Sequence, residues 1–397
     1  MRSMPELIGI EQARRLVLEA VSPLAAEAVG LGAALSRVLA EDVVSGLDVP
    51  PFRSSAMDGY AVVAGQGGDL PVVGESRAGH PFDGSLEAGT AVRISTGATV
   101  PAGADAVVPL ERVEATGHSV RVPRTRPGQN VRLAGEDVRA GQAVLGRGDV
   151  LGPAEIGMAA SLGRSALSCA LRPRLALLVT GDELTEPGEP LAAGRIYSSN
   201  GWALAAQAER AGAVPALRET VPDSAEDTRA ALERALGAAD VVCVSGGVSV
   251  GPHDHVKGAL AELGVERRFW GISLKPGKPT WFGARDRVLA FGLPGNPVSA
   301  MVTFQLFARP ALLALQGADP NATRAQAALA EPVERNRARE QAVRVRLRAT
   351  SAGWWATPTG EQGSHRLSSM LGADALALIP AGEGQLAAGE RVAVELL

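Results

Sequence analysis

The stretch "DVVCVSGGVSVGPHD", Asp240–Asp254, reads as an apolar strand, a glycine-rich turn and then an acid. A short apolar run bounded by glycines fits a strand buried on both faces, as in parallel sheets. The glycines let backbone N–H groups approach a ligand closely, the device of phosphate-binding loops. No Walker A lysine follows, so the positive charge must come from elsewhere.

Outward from this stretch the pattern alternates. Strands are predicted at "RPRLALLVTGDEL", "VPALRETV" and "RVLAFGLPG", with an extended segment at "VERRFWGISL". Helices are predicted at "SNGWALAAQAERAGA", "PDSAEDTRAALERAL", "HDHVKGALAELG" and "NPVSAMVTFQLFARPALLAL". The acids opening the second helix suit the positive end of a helix dipole. Alternation of this kind predicts a parallel α/β sheet over 172–316, with ligands beyond the C-terminal strand ends.

The rest of the chain differs. Residues 9–40 carry apolar positions at helical spacing, and "VLGPAEIGMAASLG" has a proline start for a helix. These predict an elongated helical subdomain from 1–47 and 136–171, the two parts packing together. Residues 48–135 are short strands broken by Gly and Pro, a small β-rich subdomain. Residues 317–397 revert to strands and predict a β-barrel-like subdomain. The fold class is thus multi-domain α/β, with 397 residues being too many for one core.

Composition narrows the function. A net charge of −4 argues against nucleic acid as main partner, and 4% aromatics leaves few stacking platforms for bases. Cys169 and Cys243 are too few for a disulfide framework. The N-terminal residues lack the apolar core of a signal peptide, and no uninterrupted apolar run approaches the ~18 residues of a membrane span. The expected location is the cytoplasm.

Three loops leave strand ends on the predicted rim: "TGDEL" (180–184), "SGGVSVGPHD" (245–254) and "GLPGNPVSA" (292–300). Together they favour a phosphate-bearing ligand. Glu183 and Asp254 come from two of them. Either Mg²⁺ intervenes between these acids and phosphate, or Asp254 caps a helix and Glu183 is solvated. Lys275 and Lys278, in "KPGKP", put two cations on a rigid turn suited to an oxyanion. Asp58, Thr96 and Asp137 read as turn residues on chemistry alone. His253 and His255 flank Asp254, but an i, i+2 pair shares no helical face and no further zinc ligands cluster with it.

The motifs "PPFRSSAMDGYAV", "RISTGATVPAGADAVVPLE", "AGEDV", "TGDEL", "SNGWAL", "SGGVSVGPHD", "KPGKPTWFG", "GLPGNPVSA" and "QGSHRLSSM" occur in this order. The sequence resembles the molybdopterin molybdenumtransferases, the MoeA family, and the related E domain of gephyrin. The resemblance covers nearly the whole chain. It implies a homodimer with an interface-built site, whose central α/β subdomain binds molybdopterin. It implies insertion of molybdate into adenylylated molybdopterin with release of AMP, assisted by Mg²⁺.

By motif, the resemblance implies site roles for Asp58, Thr96, Asp137, Asp223, Lys275 and Lys278. Glu183 and Asp254 match the Mg²⁺-linked acids. Ser245, Gly246, Gly247, Pro294, Pro297 and Ser364 match substrate-binding positions, and Arg344 matches an arginine that helps bind molybdate. One departure stands out: family members often carry lysine directly after Trp270, where this chain has Gly271. Arg267 or Arg268 are the candidates to compensate. Two other readings compete. A molybdopterin adenylyltransferase, also the possible upstream partner, would share the "SGG" loop but not the flanking subdomains. A scaffold would not need the retained acids and lysines.

Overall fold

The computed structural model describes residues 7–249 and 254–397. At its centre lies a six-stranded sheet in the order Val214–Val221, Arg174–Thr180, Val241–Ser245, Val288–Leu293, Trp281–Arg285, Glu266–Trp270. The first four strands are parallel. Trp281–Arg285 runs antiparallel to both of its neighbours, so the sheet expected to be parallel is mixed at this edge. The cause is local. Arg285 pairs with Val288, leaving a two-residue turn in which Asp286 has φ 54°. So short a connection can only reverse the chain, since a parallel crossover needs a dozen residues or so.

Side-chain alternation along the strands builds two cores. Leu175, Leu177, Cys243 and Phe291 face helices Asn200–Arg210 and Ile10–Glu19 and the apolar helix Pro297–Leu315. Ala176, Leu178, Val242 and Val244 face helices Ala225–Ala238 and Val256–Glu262. The helix Pro297–Leu315 is apolar enough by composition to cross a membrane, but 83% of it is buried inside the protein, and it is a core helix.

The N-terminal segment is less helical than its spacing predicts. Its helix ends at Glu19. Residues Ala26–Gly30 instead form a strand paired antiparallel with Ala166–Ala170. Pro23 cannot donate to a helical ladder, and Gly30 and Gly32 weaken any continuation. Helix Ile10–Glu19 buries Ile10, Ala13 and Val17 against the α/β body rather than against residues 136–171. From the same helix Arg14 reaches Glu395 of the C-terminal subdomain at 2.8 Å, a fully enclosed ion pair.

The small β subdomain is a six-stranded sheet, Ala106–Pro109, Gly59–Val62, Ala91–Ile94, Gly68–Ser76, Ser119–Val122, Glu114–Thr116. In the C-terminal subdomain, strands Glu340–Thr350, Gly353–Pro358, Arg324–Leu329, Arg391–Leu396 and Ala375–Ile379 close into a ring, because the last also pairs with the first. Leu274–Lys275 adds to this barrel as a further strand. The lysine loop is thereby tied to both subdomains.

Candidate active site

Strands Arg174–Thr180, Val241–Ser245 and Val288–Leu293 lie side by side, so their C-terminal loops meet on one rim. There they enclose a cavity of about 660 Å³. Glu183, Asp223, Asp254, Ser245, Gly246, Gly247, Pro294 and Pro297 all line it.

Glycine is required in the central loop. Gly246 has φ 102° and Gly247 φ 63°, in the left-handed region that side chains disfavour. A Cβ on Gly246 would lie 2.6 Å from Thr180 Oγ1 and 2.8 Å from its carbonyl oxygen. The loop therefore packs directly on the end of the neighbouring strand, and both line the same cavity.

Asn200 locks the loops together. Its buried amide donates to Ser245 Oγ at 2.8 Å and to the Gly295 carbonyl at 2.7 Å. Ser245 Oγ in turn donates to the Pro294 carbonyl at 3.1 Å. Asp223 N–H donates to Asp182 Oδ1 at 3.1 Å, and Asp182 N–H donates back to Asp223 Oδ2 at 3.4 Å. This fixes one of the three lining acids.

The predicted cations Lys275, Lys278 and Arg344 are not in the lining. Lys275 is exposed and Lys278 half-buried, with Pro279 beside it in the lining. Ser364 Oγ accepts from Asn296 Nδ2 at 3.1 Å, and its neighbour His365 lines the cavity. Arg344 lies behind them, 1% exposed. Its Nε donates to Ser369 Oγ at 3.2 Å and Nη2 to the Gly363 carbonyl at 3.4 Å. No carboxylate pairs with it among the described residues, and desolvation pulls its pKa down to about 10, so it remains cationic at neutral pH.

Asp58, Thr96 and Asp137 do not line this cavity. Asp58 Oδ1 accepts the Thr96 N–H at 2.7 Å, so those two act as a unit in the small β subdomain. Asp137 is exposed. His255 is half-buried, while His253 lies outside the described residues, so the His-x-His pair falls partly beyond them.

Gly271 has φ 94°, and its N–H donates to the Thr280 carbonyl at 2.9 Å. A lysine on this backbone would be strained. Arg268 pairs with Glu266 at 3.3 Å, and neither it nor Arg267 lines the cavity. The cation beside Trp270 is Lys257, which sequence reasoning passed over. Its ammonium sits 3.9 Å from the Trp270 ring centroid and donates to the carbonyls of Val248 and Ser249. Burial lowers its pKa, and the charge of Asp254 opposes that fall. Asn200, within "SNGWAL", is likewise a site residue to which the sequence assigns no role. The "SNG" helix start was its only local signal.

The geometry has counterparts. Residues 8–163 match "MoeA N-terminal region (domain I and II)", residues 176–314 "Probable molybdopterin binding domain", and residues 326–397 "MoeA C-terminal region (domain IV)". The chain belongs to the MoeA family. It is 37% identical to the molybdopterin molybdenumtransferase 2 of Mycobacterium tuberculosis over 97% of this chain and 98% of that one. It is 40% identical to the molybdopterin molybdenumtransferase of Haemophilus influenzae over 78% of each. Among solved structures, a MoeA protein from Pyrococcus horikoshii superposes with a TM-score of 0.83 at 32% identity, covering 98% of this chain and 99% of that one. In this MoeA-family chain the rim cavity lies wholly within the molybdopterin-binding match, apart from His365 of the C-terminal region.

Proposed function

We propose that this chain is a molybdopterin molybdenumtransferase. It takes adenylylated molybdopterin and molybdate and yields molybdenum cofactor and AMP. The observation that carries the reading is one cavity in which three glycine-turn loops meet Glu183, Asp223 and Asp254, in a chain with all three MoeA regions.

The chain's task is to hold two anions against each other. Backbone N–H groups of the Ser245–Gly247 turn approach the phosphates, and the N-terminus of helix Pro297–Leu315 favours negative charge. Lys275 and Lys278, on the turn whose Pro279 lines the cavity, supply positive charge toward it. The buried Arg344, with no carboxylate partner among the described residues, raises the positive potential behind Ser364 and His365, which supports molybdate binding there. Replacement of molybdate oxygens by the two dithiolene sulfurs is ligand exchange, with the oxygens leaving as water once protonated. Holding both partners in register is the main catalytic contribution.

Glu183, Asp223 and Asp254 offer hard carboxylate oxygens, and no group of three or more ligating side chains converges among the described residues. That donor set fits Mg²⁺, which takes one or two carboxylates and fills its shell with phosphate oxygens and water. Glu183 and Asp254 would hold it. When bound, Mg²⁺ polarises the pyrophosphate. Asp58 holds the Thr96 N–H on one oxygen, and its other oxygen, with no partner among the described residues, orients the water that attacks the pyrophosphate.

Asp58, Thr96 and Asp137 reach the cavity from a second copy of the chain in a homodimer. The enzyme acts in the cytoplasm and receives its substrate from the upstream adenylyltransferase. The test is substrate choice. Consumption of adenylylated molybdopterin with molybdate is expected, and consumption of ATP with molybdopterin would assign the chain to the preceding step instead.

A further inference from the structure

We propose that a second cavity, in the small β subdomain, binds a tetrahedral oxyanion. This cavity has a volume of about 850 Å³ and is walled by Arg112, Arg124, Arg126, Gln129 and Asn130, with no acid in its lining. It shares no residue with the rim cavity. Among the described residues the three guanidinium groups meet no carboxylate or carbonyl. Nearby arginines do. Arg121 pairs with Asp69 at 2.9 Å, Arg77 with Glu75 at 3.4 Å, and Arg53 donates to the Ala104 carbonyl at 2.6 Å.

The backbone holds the three together. Thr125 is buried and its N–H donates to the Gly65 carbonyl at 2.9 Å. Arg124 and Arg126, one residue to either side, therefore project to the opposite face, as alternation in an extended segment requires. Arg126 N–H donates to Gln129 Oε1 at 3.3 Å, which leaves the Gln129 NH₂ as a further donor. Asn130, with φ 55°, donates to the Val107 carbonyl at 2.9 Å and pins the turn. Arg112 arrives from the turn Leu110–Arg112 on the other side.

Three guanidinium forks with no acid between them repel one another, and an oxyanion relieves that repulsion while accepting paired N–H bonds. The two walls also touch the segment carrying Asp58. Ala56 N–H donates to the Asn130 carbonyl at 2.9 Å, and Leu110 N–H donates to the Asp58 carbonyl at 3.0 Å. A bound anion would thus brace the loop that presents Asp58. The inference concerns binding alone and stands whether or not the proposed reaction is right.

The test is calorimetric titration of the full chain at low ionic strength with inorganic phosphate, molybdate and AMP separately. The triple variant Arg112→Gln/Arg124→Gln/Arg126→Gln should bind at least one of these about tenfold or more weakly. The rim cavity is expected to add a second set of sites to the titration, and Lys278→Ala should weaken that set while leaving this one intact. Phosphate and molybdate competing for the site would identify a plain tetrahedral dianion, and AMP alone binding would identify a phosphomonoester. A charge-matched control, Arg147→Gln/Arg287→Gln/Arg391→Gln, should bind as wild type. The triple lysine variant should fall between, keeping charge but losing the forks. Wild-type binding in both pocket variants, or equal loss in the control, would overturn the proposal.

Discussion

Lys257 holds its ammonium 3.9 Å from the centre of the Trp270 ring, and both side chains donate to the same carbonyl oxygen of Val248, at 3.3 Å and 3.1 Å. The central glycine loop is thereby strapped from two sides just before Asp254. A charged hydrogen bond contributes about 1.5–3 kcal/mol and a cation over an indole about 0.5–2 kcal/mol. Lys257→Met should therefore raise KM for adenylylated molybdopterin about tenfold with a smaller change in kcat, and Lys257→Arg should recover part of it. An unchanged KM in Lys257→Met would show that the strap does not position the loop.

The loop backbone itself is equally testable. Gly246→Ala meets Thr180 at 2.6 Å in a left-handed conformation that costs a non-glycine residue about 1–2 kcal/mol. The expected outcome is a lowered Tm and a loss of kcat/KM of about tenfold or more. A neutral substitution would mean that the loop does not pack against Thr180 as described.

Arg344 separates stability from function. A buried cation without an acid is a cost to folding, and an apolar replacement of similar length is often neutral or stabilising. Arg344→Met should keep or raise Tm in thermal unfolding, yet weaken saturation by molybdate about tenfold or more. Lost stability with unchanged molybdate dependence would assign Arg344 to packing alone.

Cys169 and Cys243 are buried and unpaired, and burial pushes both thiol pKa values up, Cys243 most strongly. A folded pKa above the unfolded one means stability that is full below the unfolded value and lost as pH rises through the folded value. The urea midpoint should therefore decline above about pH 9, and less so in Cys243→Ala. At pH 8 a thiol reagent should label neither cysteine in the native protein and both after denaturation.

Much of the site was legible because its parts are local. "TGDEL", "SGGVSVGPHD" and "GLPGNPVSA" each carry their own strand, turn and polar group, and parallel strands put such loops on one rim. What escaped depends on distant partners. Asn200 acts through Ser245 and Gly295, far along the chain. Lys257 looked like an ordinary helix lysine until Trp270 packed beneath it. The strand Ala26–Gly30 has no local signature, since its partner Ala166–Ala170 lies at the other end of the N-terminal region. The antiparallel edge was hidden because its turn is Asp-Arg rather than Asn-Gly. Arg344 alternates with Val343 and Val345 of the barrel core, and what encloses it on the opposite strand face is the distant segment holding Gly363 and Ser369.

The central claim is that one cavity couples molybdate insertion to cleavage of the adenylyl phosphate. The direct measurement is AMP release from adenylylated molybdopterin, with and without molybdate, alongside cofactor formation. The account predicts release that depends on molybdate and matches the cofactor formed, and its loss in Asp254→Asn. AMP release that ignores molybdate, with no cofactor produced, would contradict it.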